Sequence, residues 1–285
     1  MTSTKIPYNR LNNKDKDLIL EYYYKLTRLS MDELSDYMNI SRRAISRVLM
    51  EKGINTKRIR RYTLNERYFE NIDCSEKAYI LGIIYADGYV GNNKYNNLVI
   101  SLKDKELVES IANLMEYTGN ISKGSKGGFE NSSYNYVFNI SSSKICEDLR
   151  NIGLYPGKSL TIKSAPDIDI ELFPHFLRGY IDGDGSIFKS IKTCYHMIAG
   201  ERKKYSYTQY TCSILGTKEF LEDIVRKSNI NRYGIYNTKT EDIKQIKITS
   251  KKELKYLFDY LYSNSTICLN RKYNIWLEMK SAYIK

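Results

Sequence analysis

Two nonapeptides decide the reading of this chain: Ile80–Gly88, ILGIIYADG, and Leu177–Gly185, LRGYIDGDG. Gly82 aligns with Gly179, Ala86 with Gly183, Asp87 with Asp184 and Gly88 with Gly185, at a constant offset of 97 residues. Each predicts a helix that is apolar nearly all round, through Ile80, Leu81, Ile83 and Ile84 in the first copy and Leu177, Tyr180 and Ile181 in the second. A helix of that kind is buried on every side. Gly82 and Ala86 lie four apart, as do Gly179 and Gly183, so each pair shares one helical face. A face without bulky side chains lets two helix backbones approach closely. The expectation is that the two helices pack on each other and form a central seam.

Working outward, LVISLKDKELVESI (98–111) parallels TCSILGTKEFLEDI (211–224), and FNISSSKICEDL (138–149) parallels IKITSKKELKYL (246–257). GKSLTI (157–162) parallels RKYNIW (271–276). Four ordered correspondences predict a duplicated body, with one unit over 71–170 and a second over 171–285. Each unit reads helix, strand, strand, helix, strand, strand, helix. Short strand pairs between helices predict an α+β fold with antiparallel sheets and helices on one face. Asn93-Lys94 and Gly124–Gly128 are the expected hairpin loops.

The body is preceded by a basic head. Residues 1–70 hold fifteen Lys/Arg against nine Asp/Glu. Apolar spacing predicts a helix near 14–26, with Leu18, Ile19, Tyr22, Tyr23 and Leu26 facing inward. Ser30 with Glu33 is a capping box for a short helix over 31–38 that buries Leu34, Tyr37 and Met38. After a turn at Asn39-Ile40, Ser41 caps a second helix over 42–52, which ends at Gly53. Its inward stripe is Ile45, Val48 and Leu49. Arg42, Arg43, Ser46 and Arg47 then face outward. Residues 1–53 thus resemble a helix-turn-helix DNA-binding module; the alternative is a helical hairpin with a solvated basic face. Residues 54–70 read as a basic linker, in which Lys57, Arg58, Arg60 and Arg61 are candidates for phosphate contacts.

Over 285 residues the net charge is +12, which predicts a polyanionic partner, nucleic acid first and an anionic membrane surface second. The longest apolar run, Ala78–Ala86, is far short of the roughly 20 residues that span a bilayer. The N-terminal MTSTKIPYNR lacks the apolar centre of a signal peptide. The expected location is the interior of a host cell: cytoplasmic, nucleoid-associated or organellar. Five scattered cysteines without a CxxC pair argue against a zinc site or a disulfide framework. Two histidines, His175 and His196, leave no clustered-histidine chemistry. GSKGG at 124–128 lacks the Lys-Ser/Thr of a phosphate-binding loop. Gly234-Ile235-Tyr236 has no following YIG, and the chain ends do not match those of a self-splicing element.

The chemistry is expected at Asp87 and Asp184. Each closes a helix, where a carboxylate faces the negative end of the dipole at a cost of roughly 0.3–1 kcal/mol. Two such placements at equivalent positions in a basic protein point to a bound cation. Carboxylates flanked by the backbone carbonyls of small residues suit a hard, oxygen-loving ion; here those residues are Ala86 and Gly183. Only these two aspartates are acidic in both copies, because Asp182 aligns with Tyr85.

The two nonapeptides resemble the signature helices of the LAGLIDADG homing endonucleases, in the two-motif, single-chain form, over about residues 71–285. The resemblance implies a saddle of two antiparallel sheets astride a long DNA duplex, each unit reading one half-site. It implies that the last acidic residue of each signature, Asp87 and Asp184, binds the divalent metal for phosphodiester hydrolysis, Mg²⁺ with Mn²⁺ as an alternative. The family also carries a basic residue in each active site near the end of the last strand. Lys158 and Lys272, equivalent within the repeat, are the matching candidates. The implied protein is a monomeric, sequence-specific endonuclease of a mobile genetic element, acting on double-stranded DNA and not at a membrane. A non-catalytic DNA-binding regulator and an RNA-binding intron maturase are the alternatives on the same fold.

Overall fold

The computed structural model describes residues 5–26, 29–54, 62–92, 94–126 and 134–283. The chain divides into two compact units, Met1–Thr63 and Leu64–Lys285.

The first unit holds α1 (Asn13–Lys25), α2 (Met31–Met38) and α3 (Arg42–Glu51). Capping boxes start α1 at Asn12/Asp15 and α2 at Ser30/Glu33, and the Ser41 side chain caps α3. Each such cap is worth about 1 kcal/mol. Asn39 turns the chain between α2 and α3 with φ 53°, a left-handed conformation that asparagine tolerates. The extended residue Ile6 pairs with Ile40 across this turn. Ile19, Leu34, Ile40, Ala44, Ile45, Val48 and Leu49 form the core. Two inward assignments are corrected. Leu18 is exposed, because α1 turns Ile19 and Leu20 to the core instead. Tyr37 is 62% exposed; the inward place on α2 belongs to Ser35, whose hydroxyl donates to the Ile40 carbonyl at 2.6 Å.

In the second unit the duplication is visible element by element. The first half runs α4 (Ser75–Asp87), β1 (Gly88–Val90), β2 (Asn97–Leu102), α5 (Lys105–Leu114), β3 (Ser122–Lys126), β4 (Tyr134–Ser141) and α6 (Ser143–Asn151). The second runs α7 (Phe173–Asp184), β5 (Gly185–Ile198), β6 (Glu201–Thr217), α8 (Lys218–Lys227), β7 (Gly234–Asn237), β8 (Ile243–Ile248) and α9 (Lys251–Tyr262), followed by α10 (Asn270–Tyr283). Both sheets are antiparallel, ordered β1-β2-β4-β3 and β5-β6-β8-β7. The fold is α+β with two pseudo-symmetric halves. Within each sheet the strand period of two puts Leu98, Ile100, Phe138 and Ile140, and their counterparts Cys212, Ile214, Ile246 and Ile248, under the helices.

The expected linker over 54–70 extends too far. Tyr68 and Phe69 are buried, and the Asn65 amide donates to the Met115 carbonyl at 2.9 Å, so residues after Thr63 belong to the body. Lys57, Arg58, Arg60 and Arg61 lie outside the described residues, as does Asn93 of the first expected loop. Of the second expected loop, Gly124–Lys126 are part of β3, and Gly127 and Gly128 lie outside the described residues. No helix among the described residues is long and apolar enough to cross a membrane.

Helices α4 and α7 carry the closest interhelical packing. Ala78–Ala86 is buried without a break. A Cβ placed on Gly82 would overlap the Phe176 carbonyl oxygen, and one on Gly179 would overlap that of Tyr79. Gly88 and Gly185 follow the same logic: a side chain there would strike the last turn of its own helix, at Ile84 or Ile181. Each signature helix therefore passes directly into the first strand of its sheet.

Candidate active site

The packing of α4 on α7 brings the two helix ends together. A Cβ on Gly183 would overlap that of Ala86 and stand 3.1 Å from Asp87 Oδ2. Asp87 is solvent-exposed and Asp184 half-buried, yet both carboxyls sit in concave ground. One cleft is lined by both aspartates with Lys158, Tyr89 and Tyr180. A second lies on the other side of Asp87, with Ser101, Gly183 and Arg271. Desolvation raises both carboxyl pKa values, and for Asp184 the Asp87 charge raises it further, while Lys158 and Lys272 pull both down. Neither carboxylate has a hydrogen-bond or ion-pair partner among the described residues.

Both lysines lie beside this pair, though neither ends a strand. Lys158 opens a single 3₁₀ turn, Lys158–Leu160, after Gly157 with φ 77°. Lys272 lies in the first turn of α10. Lys158 Nζ donates to the Ala86 carbonyl at 3.0 Å. Lys272 Nζ donates its three N–H bonds to the carbonyls of Ile181 (2.7 Å), Asp182 (2.7 Å) and Gly185 (2.6 Å), with the Gly183 carbonyl at 3.3 Å as a shared fourth acceptor. Both side chains are buried. Burial lowers each pKa, opposed at Lys158 by Asp184 and Asp87, and at Lys272 chiefly by Asp182. A cation at a helix C-terminus satisfies carbonyls that the helix leaves open and offsets its dipole. The sequence reading counted the cost of an aspartate at each helix end but not the lysine that offsets it.

Asp182 has a different task. Its Oδ2 accepts from Tyr79 Oη and from the Leu269 amide, each at 2.8 Å. Burial still pushes its pKa up to about 6. Tyr85, at the equivalent place in the first half, donates to the Ile152 carbonyl at 3.0 Å. Both residues thus tie a signature helix to the segment that leads to a site lysine. Behind them, fully buried Arg178 contacts His175 Nδ1 (2.8 Å) and donates to the carbonyls of Leu261 (2.6 Å) and Ile267 (2.9 Å). His175 is thereby a structural residue. None of these partners was foreseen, since 83–103 residues separate most of them in sequence.

No protein-family model matches the sequence, and no curated protein matches it. Solved structures do. One is the I-LtrWI LAGLIDADG homing endonuclease bound to target DNA, at 17% identity and TM-score 0.53, covering 77% of this chain and 91% of that one. Another is a mutant of I-SmaMI at 15% identity and TM-score 0.50, covering 75% and 91%. The body has the LAGLIDADG homing-endonuclease fold. It takes the single-chain, two-motif form of that fold.

Asp87 and Asp184 are paired carboxylates at the end of the α4–α7 seam. As a donor set they fit a hard divalent cation: two oxygen ligands without other partners, in an open cleft, leave positions for water and phosphate. Among the described residues no third His, Cys, Asp or Glu joins them. The Ala86 and Gly183 carbonyls already accept from Lys158 and Lys272, so each offers a cation only its remaining lone pair.

In the first unit, Arg42, Arg43, Ser46 and Arg47 lie with Met50 along one concave stretch of α3. Arg42 pairs with Asp32 at 3.1 Å, and Arg47 pairs with Glu51 at 3.3 Å while covering the Tyr8 ring. These exposed pairs are worth less than about 1 kcal/mol, so the arginines remain available to an anion.

Proposed function

We propose that this protein is a sequence-specific, metal-dependent DNA endonuclease that acts as a monomer, cuts both strands of one long site and serves a mobile genetic element. The observation that carries this reading is the convergence of Asp87 and Asp184 at the closely packed ends of two equivalent helices, each helix end held by a buried lysine.

Phosphodiester hydrolysis needs an activated water, charge relief on the phosphate and stabilisation of the leaving oxygen. Mg²⁺ or Mn²⁺ bound by Asp87 and Asp184 would supply the acidified water and part of the charge relief. The chain's own groups do the rest. The two carboxylates face one cleft from opposite halves, matching two scissile phosphates on opposite strands. Lys158 and Lys272, fixed by their carbonyl partners, act as positioned positive charge rather than as mobile proton donors. Positive charge held in place beforehand stabilises negative charge that develops during the reaction.

Affinity comes from the basic excess of the chain. The face of α3 with Arg42, Arg43, Ser46 and Arg47 serves as a helix-turn-helix-like contact outside the central site, and Lys57, Arg58, Arg60 and Arg61 follow it as phosphate contacts. The target DNA bound by I-LtrWI supports a DNA substrate. A non-catalytic regulator or an RNA-binding maturase would not need both aspartates. The deciding experiment incubates the protein with the uninterrupted insertion locus in Mg²⁺ and in EDTA. A double-strand break that requires the metal supports the reading; specific binding without cleavage in any divalent metal overturns it.

A further inference from the structure

The two halves differ sharply in one place. In the first, β1 and β2 share three residue pairs, from Gly88↔Ile100 to Val90↔Leu98. In the second, β5 and β6 pair without interruption from Gly185↔Ile214 to Ile198↔Glu201. The offset between halves is 97 at Asp87/Asp184 and 114 at Leu98/Cys212, which occupy equivalent places in the pairs Val90↔Leu98 and Ile187↔Cys212. Seventeen residues of the second half therefore have no counterpart, and they fall in this hairpin.

Only the base of the hairpin belongs to the sheet, because β8 pairs with β6 no further out than Cys212↔Ile248. The Lys189↔Tyr210 pair still packs on α10, with Lys189 on Glu278 and Tyr210 on Tyr283, so the free two-stranded ribbon runs from Ser190↔Gln209 to Ile198↔Glu201. At about 3.4 Å per residue those nine pairs reach roughly 30 Å. Between 188 and 211 there are five Lys/Arg against one Glu. The register fixes its faces. Ile187 and Cys212 point under the helices, so Ser190, Lys192, His196, Lys203, Tyr207 and Gln209 continue the open face of the sheet. Donors and acceptors with two lysines on an exposed, twisted ribbon match the major groove, which is wide enough for two strands.

We propose that this ribbon is a second-half-specific extension of the DNA interface. It lies in the major groove outboard of the second half-site and makes that arm of the target longer than the first by up to about ten base pairs. The proposal rests on the endonuclease reading above. The occupant is a DNA duplex rather than a second copy of this chain, because five cations against one Glu between 188 and 211 leave a net positive ribbon that would repel its own copy.

The test compares hydroxyl-radical footprints on the insertion locus in EDTA. The full chain is set against a variant in which residues 191–208 are replaced by Asn-Gly, which closes the Ser190↔Gln209 pair with a two-residue turn. The expected result is loss of protection at one end of the footprint only, by five to ten base pairs, with at least tenfold weaker binding. As a milder check on folding, Lys192→Ala with Lys203→Ala should lower the log–log salt slope by about 2, since each lost phosphate contact removes about 0.9. An unchanged footprint and slope in both variants overturns the ribbon assignment while leaving the nuclease reading intact. A change of oligomeric state without a change of footprint also overturns it, in favour of self-association. No footprint from the full chain overturns the nuclease reading, and the ribbon assignment with it.

Discussion

Asp182 and Lys272 hold each other's helices. The Asp182 carboxylate accepts the amide of Leu269, at the entrance to α10, at 2.8 Å. One turn further on, Lys272 Nζ returns to the Asp182 carbonyl at 2.7 Å, in the last turn of α7. A negative group thus meets a helix start and a positive group a helix end, the favourable sense at both. Asp182→Ala leaves the Leu269 amide and the Tyr79 hydroxyl without this acceptor. Each buried orphan costs about 1–3 kcal/mol, so the expected loss in stability is about 2–4 kcal/mol by urea denaturation. Asp182→Asn keeps an acceptor and should lose less than half of that, with cleavage largely retained.

Asp87→Asn and Asp184→Asn should each reduce cleavage at least a hundredfold while specific binding persists. The substitution keeps the volume at the seam but removes the ligand charge. Binding in EDTA should strengthen slightly, since an unneutralised carboxylate repels phosphate. Nicking, linearisation and gel-shift affinity on one plasmid substrate check this, and normal cutting by either variant contradicts the ligand assignment.

The two lysines should not be equal in stability. Lys272 serves four carbonyls and Lys158 one. Lys272→Met is therefore expected to cost about 2–4 kcal/mol and Lys158→Met about 1–2 kcal/mol, from the unmet carbonyls. Thermal melts of the two variants give the order directly.

At the seam, Gly179→Ala should destabilise by at least about 1–3 kcal/mol, the usual range for overpacking. The added methyl meets the Tyr79 carbonyl, and backbone cannot rotate aside as a side chain can. Gly53→Ala, where no atom lies within 4 Å but φ is +69°, should cost less, about 1 kcal/mol. Chemical denaturation of both variants separates close approach from backbone conformation.

Deleting residues 1–63 should leave the body folded, because Leu64–Lys285 is a compact unit with its own core. Loss of Arg42, Arg43 and Arg47 should weaken binding and lower the salt slope by up to about 3. Equilibrium binding across a salt series measures this, and an unchanged slope rules out a DNA role for α3.

The sequence by itself determined the duplication, the order of elements and the equivalence of Asp87 and Asp184. Those features are written in local periodicity, in small residues four apart and in the offset that repeats them. Capping residues such as Ser30 and Ser41 were equally legible, because their partners lie three residues away. What only the tertiary structure decided is what surrounds the aspartates. Lys272 reaches α7 across 87–91 residues and Lys158 reaches α4 across 72, distances at which no sequence period operates. The repeat placed the two lysines in register with each other, but only packing turned that register into helix caps. The same holds for Asp182, which the repeat sets aside through its alignment with Tyr85 and which becomes a structural clamp once Tyr79 and Leu269 are brought against it. Burial forces a polar group to find partners, and which partners it finds is settled by the fold.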